Sequence, residues 1–141
     1  MKTVLIMDDD ASNRFVLRNV LSVEFEVLEA STSAEALAVC ERQRVDLIVA
    51  DVVMPIATGP EVAKRLLAVC PSVAVLFVSG YPFETLTSRG VLVPGEFIGA
   101  AVGFLQKPFT ARALLARARE ILSSTVCGHS GKESSANSSA P

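Results

Sequence analysis

Five short stretches of the chain are mainly apolar, and amphipathic stretches with helical spacing separate them. The apolar stretches cover residues 3–7, 25–30, 46–51, 73–78 and 102–106. The second stretch alternates apolar and acidic residues, as a half-exposed strand does. The continuous runs are typical of strands that are buried on both faces. Regular alternation with helices predicts an α/β fold with a parallel sheet and helices on both faces.

The helical stretches begin at residues that can start a helix. We expect Ser12 to cap the first helix, Ser33 the second and Thr110 the last. Gly59 and Pro60 open the third helix, since proline is tolerated in the first turn. The residues expected on the inner faces are Val16, Leu17, Val20, Leu21, Ala34, Leu37, Ala38, Val62, Ala63, Leu66, Leu67, Cys70, Ala111, Leu114, Leu115, Ala118, Ile121 and Leu122.

Two parts of the chain have a less regular pattern. Residues 81–101 predict a short helix near residues 83–88, followed by glycines and prolines with loop-like spacing. From residue 123 the composition changes to Ser, Gly and Ala with few apolar groups, which is typical of disorder. The predicted organisation is a folded domain at residues 1–122 and a disordered Ser-rich tail at residues 123–141.

Five strand–helix units favour a flavodoxin-like, doubly wound, five-stranded parallel sheet with the strand order 2-1-3-4-5. In this order the first and third strands are neighbours, and ligands bind at the carboxyl edge beside them. Four of the five strands end on polar residues at this edge, namely Asp8 and Asp9, Asp51, Ser79 and Lys107. The sequence therefore predicts that these side chains converge.

The converging residue types favour phosphoryl chemistry. Carboxylates at short range repel one another unless a cation or a proton lies between them. Hard oxygen ligands suit Mg²⁺ or Mn²⁺, which keeps several waters and leaves positions open for a phosphate oxygen. Lys107 supplies a compact positive charge and Ser79 a hydroxyl donor for phosphoryl oxygens. These residues predict a site in which Asp51 attacks phosphorus while the metal ion and Lys107 offset charge.

The composition argues against several other classes of protein. A net charge of −2 without a basic run gives no reason to expect nucleic-acid binding. The start of the chain is apolar only briefly before three aspartates, and no apolar run is long enough to span a membrane. Cys40, Cys70 and Cys127 lack metal-ligand spacing, so we expect reduced thiols. These observations predict a cytoplasmic protein that binds neither nucleic acid nor membrane.

The sequence resembles the receiver domain of two-component response regulators, a family related to chemotaxis regulators, over roughly residues 2–122. The resemblance is carried by MDDD at 7–10, DVVMPIATG at 51–59, SGY at 79–81 and FLQKPF at 104–109. Together these four motifs are far more specific than any one of them. The residue patterns of the last two motifs also occur in receivers of hybrid sensor kinases. The chain can therefore be a stand-alone regulator or the receiver of a hybrid kinase, and both alternatives remain open.

The resemblance implies roles for the residues of the acidic edge. Asp51 would be the phosphoacceptor, and its donor would be a histidine kinase or a histidine phosphotransfer protein. Asp8 and Asp9 would be the acidic pair that binds Mg²⁺, together with Asp51 and the backbone carbonyl of Val53. Asp9 would be a direct ligand, and Asp8 would act mainly through water. Lys107 would be the family's invariant lysine, with a cis Lys107–Pro108 peptide.

The resemblance also implies a switch rather than an enzyme with a separate substrate. Ser79 and Lys107 would move to satisfy the phosphoryl oxygens on Asp51, and Phe104 would turn inward. The face formed by the fourth helix, fifth strand and fifth helix would be remodelled for a downstream partner. The chain itself would be a monomer or a phosphorylation-dependent homodimer. The chain would catalyse only its own phosphorylation and slow dephosphorylation.

The chain departs from the family pattern, and other functions stay open. The interval from Ser79 to Lys107 is longer than usual, which puts the usual fourth helix in doubt and predicts an atypical partner surface. Val53 and Tyr81 occupy positions that tune phosphoryl lifetime, and their bulk predicts slow self-dephosphorylation. A pseudo-receiver that acts only as an interaction module is one alternative. The other is an Asp-nucleophile phosphatase that depends on Mg²⁺, although its second Asp would stand where Val53 lies.

Overall fold

The computed structural model describes residues 1–54, 58–93, 95–97 and 100–126. Within these residues five strands alternate with five helices. In chain order the elements are β1 (Thr3–Met7), α1 (Ala11–Leu21), β2 (Glu26–Ala30), α2 (Ser33–Arg42), β3 (Leu47–Asp51), α3 (Gly59–Val69), β4 (Ala74–Ser79), α4 (Phe83–Ser88), β5 (Val102–Gln106) and α5 (Ala111–Val126). The strands form one parallel sheet with the order β2-β1-β3-β4-β5, which confirms the predicted flavodoxin-like topology.

The sheet separates two apolar cores. One core lies beneath α1 and α5 and contains Leu17 and Leu114. The other lies beneath α2, α3 and α4 and contains Ala36, Leu66 and Leu86. The central strands contribute alternate side chains to each core, which is why their sequences are continuously apolar. The prediction of helices on both faces is therefore confirmed.

Two of the predicted helix caps are wrong by one or two residues. Asp10, not Ser12, caps α1, and its side chain accepts a hydrogen bond from the Ser12 amide at 2.8 Å. Thr32, not Ser33, caps α2, and its hydroxyl accepts from the Glu35 amide. In both cases neighbouring residues have side chains of capping type, and the backbone decides which of them reaches a free amide.

The other helix starts agree with the prediction. Gly59 and Pro60 open α3 behind Thr58, whose hydroxyl forms a reciprocal capping box with Glu61. The Thr110 hydroxyl accepts a hydrogen bond from the Ala113 amide at 3.0 Å at the start of α5.

The inner faces of α1 and α2 differ from the prediction. Val16, predicted to face inward, is 58% exposed, whereas Leu17 and Leu21 are buried. Ala34 and Ala111 are also exposed. The buried residues of α2 are Ala36, Val39 and Cys40, and Leu37 and Ala38 are only half-buried. The α2 sequence is apolar around most of its circumference, so its pattern does not fix which side packs inward.

The last two helices agree with the prediction in position, but α5 is longer than predicted. Helix α4 has the predicted bounds, and α5 continues to Val126, past the predicted domain boundary at residue 122. The predicted tail beyond residue 126 lies outside the described residues, as does Pro55. In the part of the chain that the structure describes, no helix combines the length and apolar character needed to cross a bilayer.

Candidate functional site

The first carboxylate of the site belongs to Asp8, which directly follows β1 and is 1% exposed. Its Oδ1 atom accepts a hydrogen bond from the Asp10 amide at 2.9 Å, whereas its Oδ2 atom has no hydrogen-bond partner among the described residues. Burial raises the pKa of Asp8, and the charge of Asp9 raises it further while Lys107 lowers it. A buried carboxylate oxygen without a partner is costly, and a cation would satisfy it.

The second carboxylate, Asp51, ends β3 beside β1 and is 14% exposed. Its Oδ1 atom accepts a hydrogen bond from the Val53 amide at 3.3 Å, and the Lys107 Nζ atom lies 3.9 Å from its Oδ2 atom. Burial raises the pKa of Asp51, Lys107 opposes this, and the charges of Asp8 and Asp9 add to it. The Asp51 carboxylate therefore lies within the electrostatic reach of one cation and two other acids.

Ser79 and Lys107 bring β4 and β5 into the same site. Ser79 ends β4 and is buried, and its Oγ atom accepts a hydrogen bond from the Tyr81 amide at 3.0 Å. The Lys107 amide donates to the Ser79 carbonyl at 2.7 Å, and the Lys107–Pro108 peptide is cis. Ser79 and Lys107, which are both predicted to contact phosphoryl oxygens, are thus joined by a backbone hydrogen bond.

The structure brings the predicted residues to one edge of the sheet. This acidic edge, as we call it, consists of Asp8, Asp9, Asp51, Ser79 and Lys107. Val53 and Tyr81 lie beside Asp51 and Ser79 in the chain, and each is 48% exposed. The convergence agrees with the prediction, while the individual roles of these residues stay predictions.

The acidic edge fits the predicted divalent cation by its donor chemistry. Among the described residues, no three His, Cys, Asp or Glu side chains gather into a group that could hold a metal ion. Magnesium, however, is usually bound through only one or two carboxylates and keeps several of its waters. The Asp8 Oδ2 atom lacks a hydrogen-bond partner within the described ranges, and the charge of Asp8 helps to raise the pKa of Asp51. A divalent cation would coordinate such an oxygen atom and offset the charge of both carboxylates.

Sequence reasoning missed the packing role of Gly59. A Cβ atom at Gly59 would lie 2.4 Å from the Asp51 carbonyl oxygen, and the Gly59 amide donates to the Val52 carbonyl at 2.8 Å. The start of α3 can therefore approach the end of β3 only because residue 59 has no side chain. A glycine inside the first turn of a helix is the sequence signal that could have indicated this contact.

The predicted switch residue Phe104 contacts α4 directly. Its ring meets the Phe83 ring edge-on, with 5.5 Å between centroids and 63° between planes. Phe77, the register partner of Phe104, contacts Phe97 with 5.6 Å between centroids. Beside Phe97 in the chain, Glu96 forms an ion pair with Lys64 of α3. The long connection after α4 thus packs against the same side of the sheet as Phe104.

Comparison with known proteins agrees with this geometry. The model of the response regulator receiver domain family matches residues 4–119. The chain is 35% identical over 121 residues to the sensor kinase CckA of Brucella abortus (strain 2308), which covers 84% of this chain and 12% of that protein. It is 34% identical over 133 residues to the phosphate regulon transcriptional regulatory protein PhoB of Pseudomonas aeruginosa, covering 92% of this chain and 55% of that protein. The chain thus spans about half or less of these curated relatives.

Solved structures give the same result. A CheY-like receiver domain protein from Methanospirillum hungatei JF-1 superposes with a TM-score of 0.74 at 27% identity, covering 91% of this chain and 98% of that chain. The receiver domain of the hybrid histidine kinase CckA superposes with a TM-score of 0.66 at 29% identity, covering 85% of this chain and 98% of that chain. This chain belongs to the response regulator receiver domain family of two-component systems.

Proposed function

We propose that this receiver accepts a phosphoryl group on Asp51 from the phosphohistidine of a histidine kinase or a histidine phosphotransfer protein, in a reaction that depends on Mg²⁺. The observation that carries the proposal is the approach of the Lys107 ammonium to the Asp51 carboxylate at 3.9 Å, beside the buried Asp8 Oδ2 atom, which has no hydrogen-bond partner in the described part of the chain. Family membership supports this reaction over the phosphatase alternative, and so does Val53 at the position where that class needs a second Asp.

The chemistry divides among the residues of the acidic edge. A carboxylate oxygen of Asp51 forms the new bond to phosphorus as the nitrogen–phosphorus bond of the donor breaks, and the imidazole leaves. The Lys107 ammonium pairs with a phosphoryl oxygen, and the Ser79 hydroxyl donates to another. Asp8, Asp9, Asp51 and the Val53 carbonyl would hold Mg²⁺, which supplies charge neutralisation for the phosphoryl oxygens.

The response begins at Ser79 and reaches the partner face through Phe104. To donate to the phosphoryl group, the Ser79 hydroxyl leaves its position above the Tyr81 amide. Phe104 then turns inward and gives up its edge contact with Phe83 of α4. This contact joins α4 to β5, and Arg117 of α5 donates a hydrogen bond to the Phe104 carbonyl. We therefore expect the surface formed by α4, β5 and α5 to change its affinity for a downstream protein.

The phosphoryl group is expected to persist, because Val53 and Tyr81 hinder an attacking water molecule. Val53 lies two residues after Asp51 and Tyr81 two residues after Ser79, and each side chain is about half covered by its neighbours, at 48% exposure. Decay of the phosphorylated protein in Mg²⁺ measures this lifetime. A half-life of seconds would contradict the expectation.

The test of phosphoacceptor function is intact mass after incubation with Mg²⁺ and acetyl phosphate, with Asp51→Asn as the matched variant. We expect one added phosphoryl group in the wild-type chain and none in the variant or after chelation of Mg²⁺. If neither acetyl phosphate nor a phosphorylated histidine kinase produces the adduct, the pseudo-receiver alternative replaces the proposal.

A further inference from the structure

Arg14 of α1 connects two strand ends next to the acidic edge. Its Nη1 atom donates a hydrogen bond to the backbone carbonyl of Asp8 at 2.7 Å. Its Nε atom pairs with the Glu29 carboxylate near the end of β2 at 3.1 Å. The Arg14 side chain is only 18% exposed, and its contact with Asp8 is partly buried, whereas its contact with Glu29 is exposed. We propose that Arg14 is a positioning residue that fixes Asp8 for cation binding, an inference that rests on the proposed Mg²⁺-dependent function.

The peptide groups around Asp8 are held on both sides. The Asp8 amide donates to the Ala30 carbonyl at 3.2 Å, and the Asp8 carbonyl accepts from Arg14. The Asp8 Oδ1 atom accepts from the Asp10 amide, and Oδ2 is buried without a hydrogen-bond partner from any residue that the structure describes. Of these contacts, the one from Arg14 is made by a side chain and can therefore be removed by substitution. Loss of it would let the turn between β1 and α1 move and cost the orientation of Oδ2.

The charge arrangement around Arg14 favours orientation over neutralisation. The guanidinium is paired with Glu29, and on the Asp8 side it meets the carbonyl oxygen rather than the carboxylate. The negative charge of Asp8 therefore remains directed toward the acidic edge. Groups that orient metal ligands in this way typically change metal affinity by about 10–100-fold when they are removed.

Arg18 provides a matched control one turn later in the same helix. Its Nη1 atom pairs with the same Glu29 carboxylate at 2.9 Å, but its other acceptor is the Val27 carbonyl at 3.4 Å. Arg14→Met and Arg18→Met therefore each remove one positive charge from α1 and one ion pair with Glu29. The first substitution also removes the contact to Asp8, and the second does not.

The direct measurement is the affinity of the full chain for Mg²⁺ by isothermal titration calorimetry, without a phosphodonor. We expect Arg14→Met to weaken Mg²⁺ binding by about tenfold, the lower end of the range for groups that act through a ligand. Arg18→Met should stay close to the wild-type affinity. Equal affinities of the two variants would overturn the inference.

A second readout separates positioning from a general loss of stability. In Arg14→Met the Mg²⁺ concentration that half-saturates phosphorylation by acetyl phosphate should rise, while the rate at saturating Mg²⁺ stays near that of the wild type. A lower rate at saturating Mg²⁺ with unchanged half-saturation would contradict positioning. If Arg14→Met does not fold, Glu29→Gln keeps Arg14 but loosens it, and its Mg²⁺ affinity should still fall below that of Arg18→Met.

The failure of the inference can be distinguished from the failure of the proposed function. If wild-type protein binds Mg²⁺ and is phosphorylated, but Arg14→Met matches Arg18→Met, only the inference is wrong. If wild-type protein binds no Mg²⁺ and takes up no phosphoryl group even from a phosphorylated kinase, both are wrong.

Discussion

Different kinds of contact hold the acidic edge and the α4 face of this receiver, the latter being the surface formed by α4 (Phe83–Ser88) and Phe104 of β5. At the acidic edge, the Asp10 amide and the Arg14 side chain donate hydrogen bonds to Asp8, and a backbone hydrogen bond joins Lys107 to Ser79. On the other side, α4 has only six residues and no side-chain hydrogen bond at its N-terminus. It meets β5 through the edge-to-face contact of Phe83 with Phe104. One region is fixed by directional bonds, and the other by aromatic packing.

This difference matches what the two regions have to do. Phosphoryl transfer is fast only when nucleophile and charges are already oriented, so the acidic edge gains from backbone bonds that do not rearrange. A switch needs two arrangements of similar free energy, and a short helix held by ring contacts can supply them. Substitutions in one region are therefore expected to leave the other region intact.

The largest effect should come from Lys107→Met, which removes the cation nearest Asp51. The rate of phosphorylation by acetyl phosphate should fall by about 100-fold, because a preorganised charge at the developing phosphoryl oxygens is lost. The pKa of Asp51 should also rise further, since Lys107 lowers it in the wild type. Lys64→Met is the control, since Lys64 pairs with Glu96 outside the acidic edge. A similar loss of rate in both variants would mean that the two regions are not separate.

A second effect concerns the rigid contact between α3 and β3. Gly59→Ala places a Cβ atom against the Asp51 carbonyl, so we expect a loss of about 1–3 kcal/mol in the free energy of unfolding. Gly80→Ala is the control, because a Cβ atom at Gly80 meets no atom of the described residues within 4 Å. Urea unfolding measures both variants. Equal stability of the two variants would show that the close approach of α3 is not required.

The contact between the Phe83 and Phe104 rings should contribute less to the free energy of unfolding than the contact at Gly59. A double-mutant cycle with Phe83→Leu and Phe104→Leu should yield a coupling of about 0.5–1.5 kcal/mol in unfolding, the range for such ring pairs. Phe104→Ala should leave phosphorylation intact and weaken the response of a downstream partner. Unchanged partner affinity after Phe104→Ala, with normal phosphorylation, would argue against the switch.

The smallest effect is a pH dependence at the acidic edge. Burial raises the pKa of Asp51, so the native state binds this proton more tightly than the unfolded state. The free energy of unfolding therefore falls as pH rises from the ordinary aspartate pKa of about 3.9 through the raised native value. In chelator, Asp51→Asn should be more stable than the wild type at neutral pH, and the difference should shrink toward acid. Urea unfolding of both proteins from acid to neutral pH measures this difference in the free energy of unfolding. A difference that does not change with pH would contradict the prediction.

The strands and the residues of the acidic edge could be predicted because their pattern has little ambiguity. A parallel strand buried on both faces is a short apolar run, and β3 and β5 begin or end within one residue of the predicted bounds. The strand order then places the polar ends of four strands together. The chemistry of Asp51 and Lys107 follows from residue type and from this one topological step.

The helix faces and the supporting contacts could not be predicted for physical reasons. Val16 has the right spacing for an inner face, yet the groups that pack on α1 leave it exposed. The apolar α2 sequence fits several rotations about its axis, so its pattern predicts Ala34 on the inner face although this residue is exposed. Arg14, Phe83 and the contact of Gly59 depend on distances between elements, which a sequence pattern does not contain.

The measurement that tests the central claim most directly is the location of the phosphoryl group. Borohydride reduces an acyl phosphate on aspartate to homoserine, and tandem mass spectrometry of tryptic peptides then identifies the modified residue. The peptide that contains Asp51 also contains Asp46, which lies at the opposite end of β3 and serves as an internal control. We predict homoserine at position 51 and unmodified Asp46 after treatment with acetyl phosphate and Mg²⁺. Homoserine at another aspartate, with Asp51 unmodified, would contradict the account.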